Sequence, residues 1–556
     1  MGVEDAWPVD DWRATLTEHG PLLAVISLTL LGGFVRLVGL GLPPLLDGEA
    51  IIGLTARGLE RTGFDALPSG TNYGRGILLT YLAWAATGVV GDNLFALRLP
   101  VAILTTFSVP LLYGIGLRVF DRRVAVLAAT LQSLSFLTIA WSRTARFYAL
   151  LQLFVLAVMY CAIRLDEVVD LYAEEVVPSD ERLRVALFAV GLLVAVLAAR
   201  ATHRQWLVLP IILGLYLLIP TAVEPNRVVY AKLAVWVVIG FNLTTLLFAQ
   251  QLAVPPFVFD AIPQLGAVDA VSLWEHPRSG NTPPHFFFSY YPVLSVVAVA
   301  GSLVAAWRRG SRYALILLWL YVPLTAFTYL GENFRFIWRP RYLLLFLPAF
   351  FLLTALGATS LATRVLDLWD EQRDWRDVAA VAILCLLVIS PVAQDVGVST
   401  EPHALSQLEE PQPDYREAYN TVEAAREPDD IVITNRPKKW YYWAGSLDYR
   451  GNRHAVTDNG TDYYTGVPAI ETPQEMRRVV ENHDRVWVVY NPFMRLRGDQ
   501  WVREEMTLYA VIESPFDTRY PHGLYADADA YMDDERVFIY TKGIEPAENQ
   551  TRTVSK

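Results

Sequence analysis

The stretch "LLDGEA" sets two carboxylates, Asp47 and Glu49, one residue apart just after a long apolar run. A carboxylate held beside basic groups can take the proton of an attacking hydroxyl, so either acid is a candidate general base. Asp47 also stands where a helix N-cap belongs, ahead of the apolar-periodic "AIIGLTARGLE", and that structural role is compatible with the chemical one. The second reactive set is cationic. Arg75 lies in "NYGRG", Arg143 and Arg146 in "SRTARFYALLQLF", Arg200, His203 and Arg204 in "RATHR", and Arg335, Arg339 and Arg341 in "NFRFIWRPRYLLLF". Arginine binds phosphate through bidentate, charge-assisted hydrogen bonds and stays protonated, so the four groups together point to an anion site. For any single arginine, snorkelling to lipid headgroups or pairing with a loop carboxylate is the alternative.

The elements that must position these residues are membrane spans. The chain has 556 residues, 53% hydrophobic and 19% charged, with the apolar residues in long blocks. That is a polytopic α-helical membrane protein. Runs long enough to cross lie near 22–40, 98–119, 124–141, 147–164, 185–199, 206–222, 229–250, 286–306, 313–330, 342–360 and 378–394, which predicts about eleven spans. The shorter run Ile77–Val90 reads as an interfacial helix, with a full span as the alternative. Arginine-rich short loops such as "RVFDRR" and "WRRGSR" then face the cytoplasm if the amino terminus does. The cationic groups above fall in the outer loops, against the topological bias, and the first outer loop spans 41–97.

Residues 1–394 accordingly form a membrane domain, and 395–556 a domain outside the cell. In the tail, "PDYREAYNTVEAARE" and "TPQEMRRVVEN" read as helices and "DDIVIT", "DRVWVVY" and "ERVFIYT" as strands, the pattern of a small α/β domain. The acidic start "MGVEDAWPVDDW" lacks a basic n-region, so the run 22–40 reads as a retained span. Net charge is −11 and only five of the 46 basic residues are lysine: Lys232, Lys438, Lys439, Lys542 and Lys556. Such a surface hints at a salt-adapted source and argues against a nucleic-acid partner. Cys161 and Cys385, both inside apolar runs, leave no disulfide framework or cysteine metal site. The triplet Asp527–Asp529 reads as solvated surface, and Asn459 and Asn549 open N-glycosylation sequons in the outer tail.

At these residues the sequence resembles the membrane-embedded glycosyltransferases of the GT-C fold, above all the branch of dolichyl-phosphate-mannose protein mannosyltransferases and the lipid A aminoarabinose transferase. "LLDGEA" is similar to that family's acidic motif, although Gly48 here separates the two acids. "SRTARFYALLQLF" is similar to its Arg-x-Tyr loop and "RPRYLLLFLP" to its late Arg-Tyr motif, while "NYGRGILLTYL" parallels a Tyr-Gly-Lys pattern without its prolines. The resemblance implies substrate contacts at Tyr73, Tyr148 and Tyr342, with phosphate contacts at Arg75, Arg143, Arg146, His203, Arg204, Arg339 and Arg341. It implies an inverting transferase that moves mannose from dolichyl-phosphate-mannose to an N-linked glycan of a surface (S-layer) glycoprotein in a haloarchaeon. No cofactor is required, and a divalent metal is left open. "KKWYYWAGSLDY" is faintly similar to the oligosaccharyltransferase signature, in the wrong order, and reads as tail core or a glycan-stacking surface. The alternatives are transfer of another polyprenyl-phosphate-linked sugar to lipid or protein, or a non-catalytic lipid-glycan binding protein or transporter.

Overall fold

A computed structural model describes residues 9–173, 179–223, 283–308, 310–333, 340–367, 413–452, 455–492, 496, 498–513 and 536–546. Helices α1 (Val9–Leu37), α2 (Asp47–Thr62), α3 (Ile77–Val90), α4 (Leu94–Thr106), α5 (Ser108–Val119), α6 (Arg122–Leu134) and α7 (Phe136–Ser142) come first. They are followed by α8 (Phe147–Ala173), α9 (Ser179–Thr202), α10 (Val208–Val223), α11 (Pro283–Tyr290), α12 (Pro292–Arg308), α13 (Ser311–Asn333) and α14 (Leu347–Asp367). Local chemistry sets several of these boundaries. Asn93 caps α4 by accepting from the Ala96 N–H at 2.9 Å, and Asp121 caps α6 by accepting from Arg123 and Val124. Ser135 caps α7 and breaks it from α6, and the pair bends by 53°.

Among the described residues five helices are long and apolar enough to cross a membrane, or six if the bent α6–α7 pair is one span. This corrects the expected eleven. Run 22–40 forms the C-terminal part of the 29-residue α1, run 206–222 becomes the 16-residue α10, and run 286–306 is divided between α11 (8 residues) and α12 (17 residues). Gly39 turns the chain at φ 61° after the first, a tight 3-10 turn (Arg204–Leu207) opens the second, and Pro292 restarts the third. Runs 229–250 and 378–394 lie outside the described residues. Ile77–Val90 forms a helix of 14 residues, short of a crossing.

Several polar side chains inside the bundle bond to one another or to backbone carbonyls. Gln132 Nε2 donates to Ser108 Oγ (3.0 Å) and to Gln152 Oε1 (2.8 Å), and Gln152 Nε2 donates to the Leu344 carbonyl (2.9 Å). Trp319 Nε1 donates to the Leu345 carbonyl at 2.9 Å. These bonds fix the 3-10 turn Pro340–Leu345, which carries Arg341 and Tyr342. At the far end of α8, Asp166 and Glu167 pair with Arg164, Arg118 and Arg312.

The C-terminal domain is a five-stranded sheet of order β2-β1-β3-β5-β4, with β1 (Ile431–Thr434), β2 (Tyr449–Arg450), β3 (Val486–Tyr490), β4 (Thr507–Ile512) and β5 (Val537–Lys542). Strands β1, β2 and β3 are parallel, and β5 and β4 complete the sheet in antiparallel fashion. Every residue of β3, "VWVVY", is buried, as a strand covered on both faces requires. Helices α15 (Tyr415–Glu423) and α16 (Pro437–Ala444) pack with Trp487 and Val489 on one face. Helices α17 (Pro473–Glu481) and α18 (Asp499–Glu505) pack with Val486, Val488 and Tyr490 on the other. The five elements read from the tail sequence are all present; β2, β4, α16 and α18 are additional.

Helices α12 and α14 touch backbone to backbone. A Cβ on Gly301 would fall 1.9 Å from the Leu353 carbonyl oxygen, and one on Gly357 would fall 2.1 Å from that of Val297. Small residues at such a crossing permit the approach. Gly301→Leu should therefore destabilise the protein by about 1–3 kcal/mol, measured as thermal unfolding in detergent. Gly214→Leu, where a Cβ meets open space, should leave the transition unchanged.

Candidate active site

The site is built on a buried ion pair. Glu49, fully buried in the first turn of α2, accepts from Arg98 Nε on Oε1 (2.8 Å) and from Arg98 Nη2 on Oε2 (2.7 Å). Its oxygens also accept the Leu46 N–H (3.0 Å) and the Ala145 N–H (2.7 Å). Arg98 gives its remaining hydrogens to the carbonyls of Leu40, Pro43 and Pro44 at 2.9–3.0 Å. Burial alone would raise the Glu49 carboxyl, but Arg98 and the two backbone donors outweigh it and hold it below the ordinary range. Glu49 is thus engaged on both oxygens and joins α2, α4 and the turn before α8.

Asp47, two residues earlier, is arranged differently. Its Oδ2 receives Arg436 Nη1 at 3.0 Å and Lys438 Nζ at 3.3 Å, both from the C-terminal domain. Its Oδ1 is buried and has no hydrogen-bond partner among the described residues. Burial opposes ionisation here too, and the cations Lys438, Arg436 and Lys439 overcome it, so the carboxyl lies well below the ordinary aspartate value. The result is an ionised acid with one oxygen anchored and one available as an acceptor. Cations crowd this carboxylate, a donor set unsuited to a divalent metal.

Gly48, between the two acids, makes room for an arginine. Arg146 Nη1 donates to the Gly48 carbonyl at 2.9 Å, and a Cβ on Gly48 would sit 2.4 Å from the Arg146 guanidinium carbon. That guanidinium also lies over the Phe147 ring (4.5 Å) and near Tyr148 (5.8 Å). Arg341 faces Trp141 (5.3 Å) and Tyr148 (5.5 Å), and Tyr148 meets Tyr342 at 5.9 Å. His203 stacks on Phe147 with ring centroids 4.4 Å apart. Its Nδ1 accepts the Gln205 N–H at 3.3 Å, which leaves the proton on Nε2. Burial, then the positive charges of Arg146, Arg204, Arg75 and Arg341, push this imidazole down to about 3. It is therefore a neutral donor at physiological pH. Tyr73 and Arg75 lie within electrostatic reach of Arg204, and both reach Tyr464 of the C-terminal domain.

The structure thus gathers Arg75, Arg146, His203, Arg204, Arg341, Tyr73, Tyr148 and Tyr342 into one cluster, which meets the first turn of α2 where Arg146 reaches Gly48. Arg143 stands apart. Its Nη1 donates to the carbonyls of Val35 (2.9 Å), Arg36 (3.2 Å) and Val38 (2.5 Å), and its Nη2 to that of Gly39 (3.2 Å), so it satisfies the C-terminal end of α1. Arg339 and Arg335 lie outside the described residues. Sequence reasoning missed Arg98, Arg436, Lys438 and Tyr464. One signal was present for Lys438: two of the five lysines stand side by side in "KKWYYWAGSLDY", which supplies α16 and packs on α2. Arg98, inside an apolar run, was hidden by its surroundings.

No protein-family model matches the sequence, and no curated protein matches it. Solved structures share its fold. The archaeal oligosaccharyltransferase AglB from Archaeoglobus fulgidus, in complex with an inhibitory peptide and a dolichol-phosphate, aligns at TM-score 0.56 and 12% identity over 86% of this chain and 70% of its own. ArnT from Cupriavidus metallidurans aligns at 0.57 and 12% identity in the apo state, covering 94% of this chain and 98% of its own. Bound to undecaprenyl phosphate, it aligns at 0.55 and 13% identity over 96% and 100%. The chain therefore has a GT-C-like fold, with several membrane-crossing helices and a C-terminal sheet domain.

Two outcomes follow from the geometry. Arg98→Met strands a buried carboxylate and should cost about 3–5 kcal/mol of stability, far more than Asp47→Asn, as read by thermal unfolding of the two variants. Gly48→Ala forces a methyl group against the Arg146 guanidinium and should cost about 1–3 kcal/mol, read by the same thermal unfolding measurement.

Proposed function

We propose that this protein is a glycosyltransferase that moves a sugar from a polyprenyl monophosphate carrier to a hydroxyl of a lipid- or protein-bound acceptor. The observation that carries the reading is the unpartnered Oδ1 of Asp47, set beside a cluster of arginines and tyrosines with a neutral histidine. In this reading Arg146, Arg341, Arg75 and Arg204 bind the donor phosphate and stabilise the charge that grows on it as the sugar–oxygen bond breaks. His203 adds a hydrogen-bond donor without adding charge. Asp47 accepts the hydrogen of the acceptor hydroxyl as that oxygen attacks the anomeric carbon from the opposite face, so the configuration inverts. A depressed carboxyl is a weak base in the ground state; it receives the proton late, when the attacking oxygen has become strongly acidic.

Glu49 and Arg143 are assigned structural roles, Glu49 because both oxygens are taken and Arg143 because its terminal nitrogens cap α1. The site lies on the outer membrane surface, with the amino terminus in the cytoplasm and residues from about 395 onward outside. The narrower expectation, mannose passed from dolichyl-phosphate-mannose to an N-linked glycan of a surface glycoprotein, draws on the sequence motifs and the salt-adapted composition. The shared fold supports the wider class better than this narrower one: AglB is described with a dolichol-phosphate and ArnT with undecaprenyl phosphate.

The test is transfer from radiolabelled polyprenyl-monophosphate mannose, glucose and N-acetylglucosamine to truncated native glycans and to lipid acceptors. Wild type should transfer one of these sugars. Asp47→Asn should lower kcat about 10²–10⁴-fold while retaining donor binding, and Arg146→Ala should raise the donor KM. Donor binding without transfer of any sugar offered would favour a non-catalytic lipid-glycan receptor instead.

A further inference from the structure

The carboxylate read above as the base is balanced by charges from the other end of the chain. Arg436 stands two residues beyond β1, and Lys438 lies in the first turn of α16. Arg436 is held by its own net of bonds: its N–H donates to Thr434 Oγ1 (3.1 Å) and its Nη2 to Asn491 Oδ1 (3.3 Å). Asn435 Nδ2 donates to the Asn491 carbonyl (2.7 Å), while its Oδ1 accepts the Asn491 N–H and the Tyr415 hydroxyl, each at 3.2 Å. Asn452 Nδ2, just past β2, donates to the Asn435 carbonyl at 2.6 Å. The carboxyl ends of the three parallel strands are therefore tied together at the point where Arg436 leaves for Asp47. Lys438 is steadied over the Tyr464 ring at 4.6 Å.

Contacts around this bridge hold the two parts of the protein in register. Ser69 Oγ donates to the Tyr463 carbonyl (2.7 Å), and the Ser69 N–H donates to that of Tyr464 (3.3 Å). Arg57 Nη1 donates to the Tyr442 carbonyl at 2.5 Å. The Tyr442 ring rests on α2 at Gly53, where a Cβ would be 2.4 Å from a ring carbon.

We propose that Arg436 and Lys438 are positioning residues: by occupying Oδ2 of Asp47 they turn its free Oδ1 toward the acceptor hydroxyl, so that the docked C-terminal domain completes the transfer site. The catalytic part of this statement rests on the function proposed above. Other charged and titratable groups face Asp47 from each neighbouring element: Lys439 on α16, Arg450 on β2 and Tyr415 on α15. Arg146 approaches along the Gly48 carbonyl, and Glu49 on α2 is already neutralised by Arg98. Cations prevail, so Asp47 stays ionised at pH values where an ordinary aspartate is protonated. Removing one of them must raise its titration point and move the acid loss of activity to higher pH.

The experiment compares full-length wild type with Lys438→Gln and Lys438→Arg by two readouts. One is kcat against pH, with donor and acceptor KM. The other is difference infrared spectroscopy against Asp47→Asn, which follows the Asp47 carboxylate band as the pH falls. Lys438→Gln should raise both midpoints by about one unit or more and lower kcat about 10- to 100-fold with donor KM unchanged; Lys438→Arg should recover both. Arg436→Gln, expected to behave like Lys438→Gln, serves if that variant does not fold. A fall in kcat with neither midpoint moved, or a rise in acceptor KM alone, overturns the proposal. If wild type transfers no sugar at any pH, the proposed function fails, and the infrared titration still decides the positioning claim. A band that titrates identically in wild type and Lys438→Gln sinks it.

Discussion

The pairing of Glu49 with Arg98 is the constraint on which the site depends. Two charges buried together gain little unless every remaining lone pair and hydrogen is satisfied. Here they are: the arginine's other hydrogens reach the carbonyls of Leu40, Pro43 and Pro44, and the acid's oxygens take the N–H groups of Leu46 and Ala145. The pair therefore fixes the descent from α1, the first turn of α2 and the turn into α8 relative to α4. Arg146 follows Ala145 and Asp47 follows Leu46, so both chemically interesting groups are placed one bond beyond an anchored residue. The polar groups that do the anchoring and those that remain available are neighbours in sequence but opposite in character.

Charge repulsion shapes the rest. Four arginines within electrostatic reach of one imidazole are an unfavourable arrangement in isolation, and aromatic faces soften it: Phe147, Tyr148 and Trp141 lie between or beneath the guanidiniums. Among the described residues, the acid beside this cluster, Asp47, is already balanced by Arg436 and Lys438. In the proposed reading, phosphate and nucleophile are served by separate cation sets.

Much of this was legible before any coordinates. Apolar blocks identify a membrane protein because hydrocarbon leaves a chain few other options, and the alternating pattern of the tail identifies its sheet. Arg75, Arg146, His203, Arg204 and Arg341 were recognisable because cations at span ends are costly enough to stand out. What escaped has a common cause: function set by partners distant in sequence. Arg98 looks like an isolated charge in an apolar run until Glu49 is seen against it. Arg143 and Arg146 are the same residue type three apart, yet one caps α1 and the other faces the cluster, a difference decided by which carbonyls α1 and α2 present. Among the described residues fewer helices reach crossing length than there are apolar runs, because hydropathy registers apolar length, whereas the turn at Arg204 and Pro292 interrupt the helices that two of those runs contain.

The bridge from Asp47 to Arg436 spans 389 residues of sequence. During synthesis the acid, the arginine cluster around Arg146 and the ion pair beneath them all emerge long before α16 does. A nascent chain that has already inserted its helices carries an Asp47 with nothing to balance it until the sheet domain is translated, folded and seated. The order of manufacture thus delivers the partners of Asp47 late, and a chain ended before α16 would hold the arginine cluster beside an unbalanced acid.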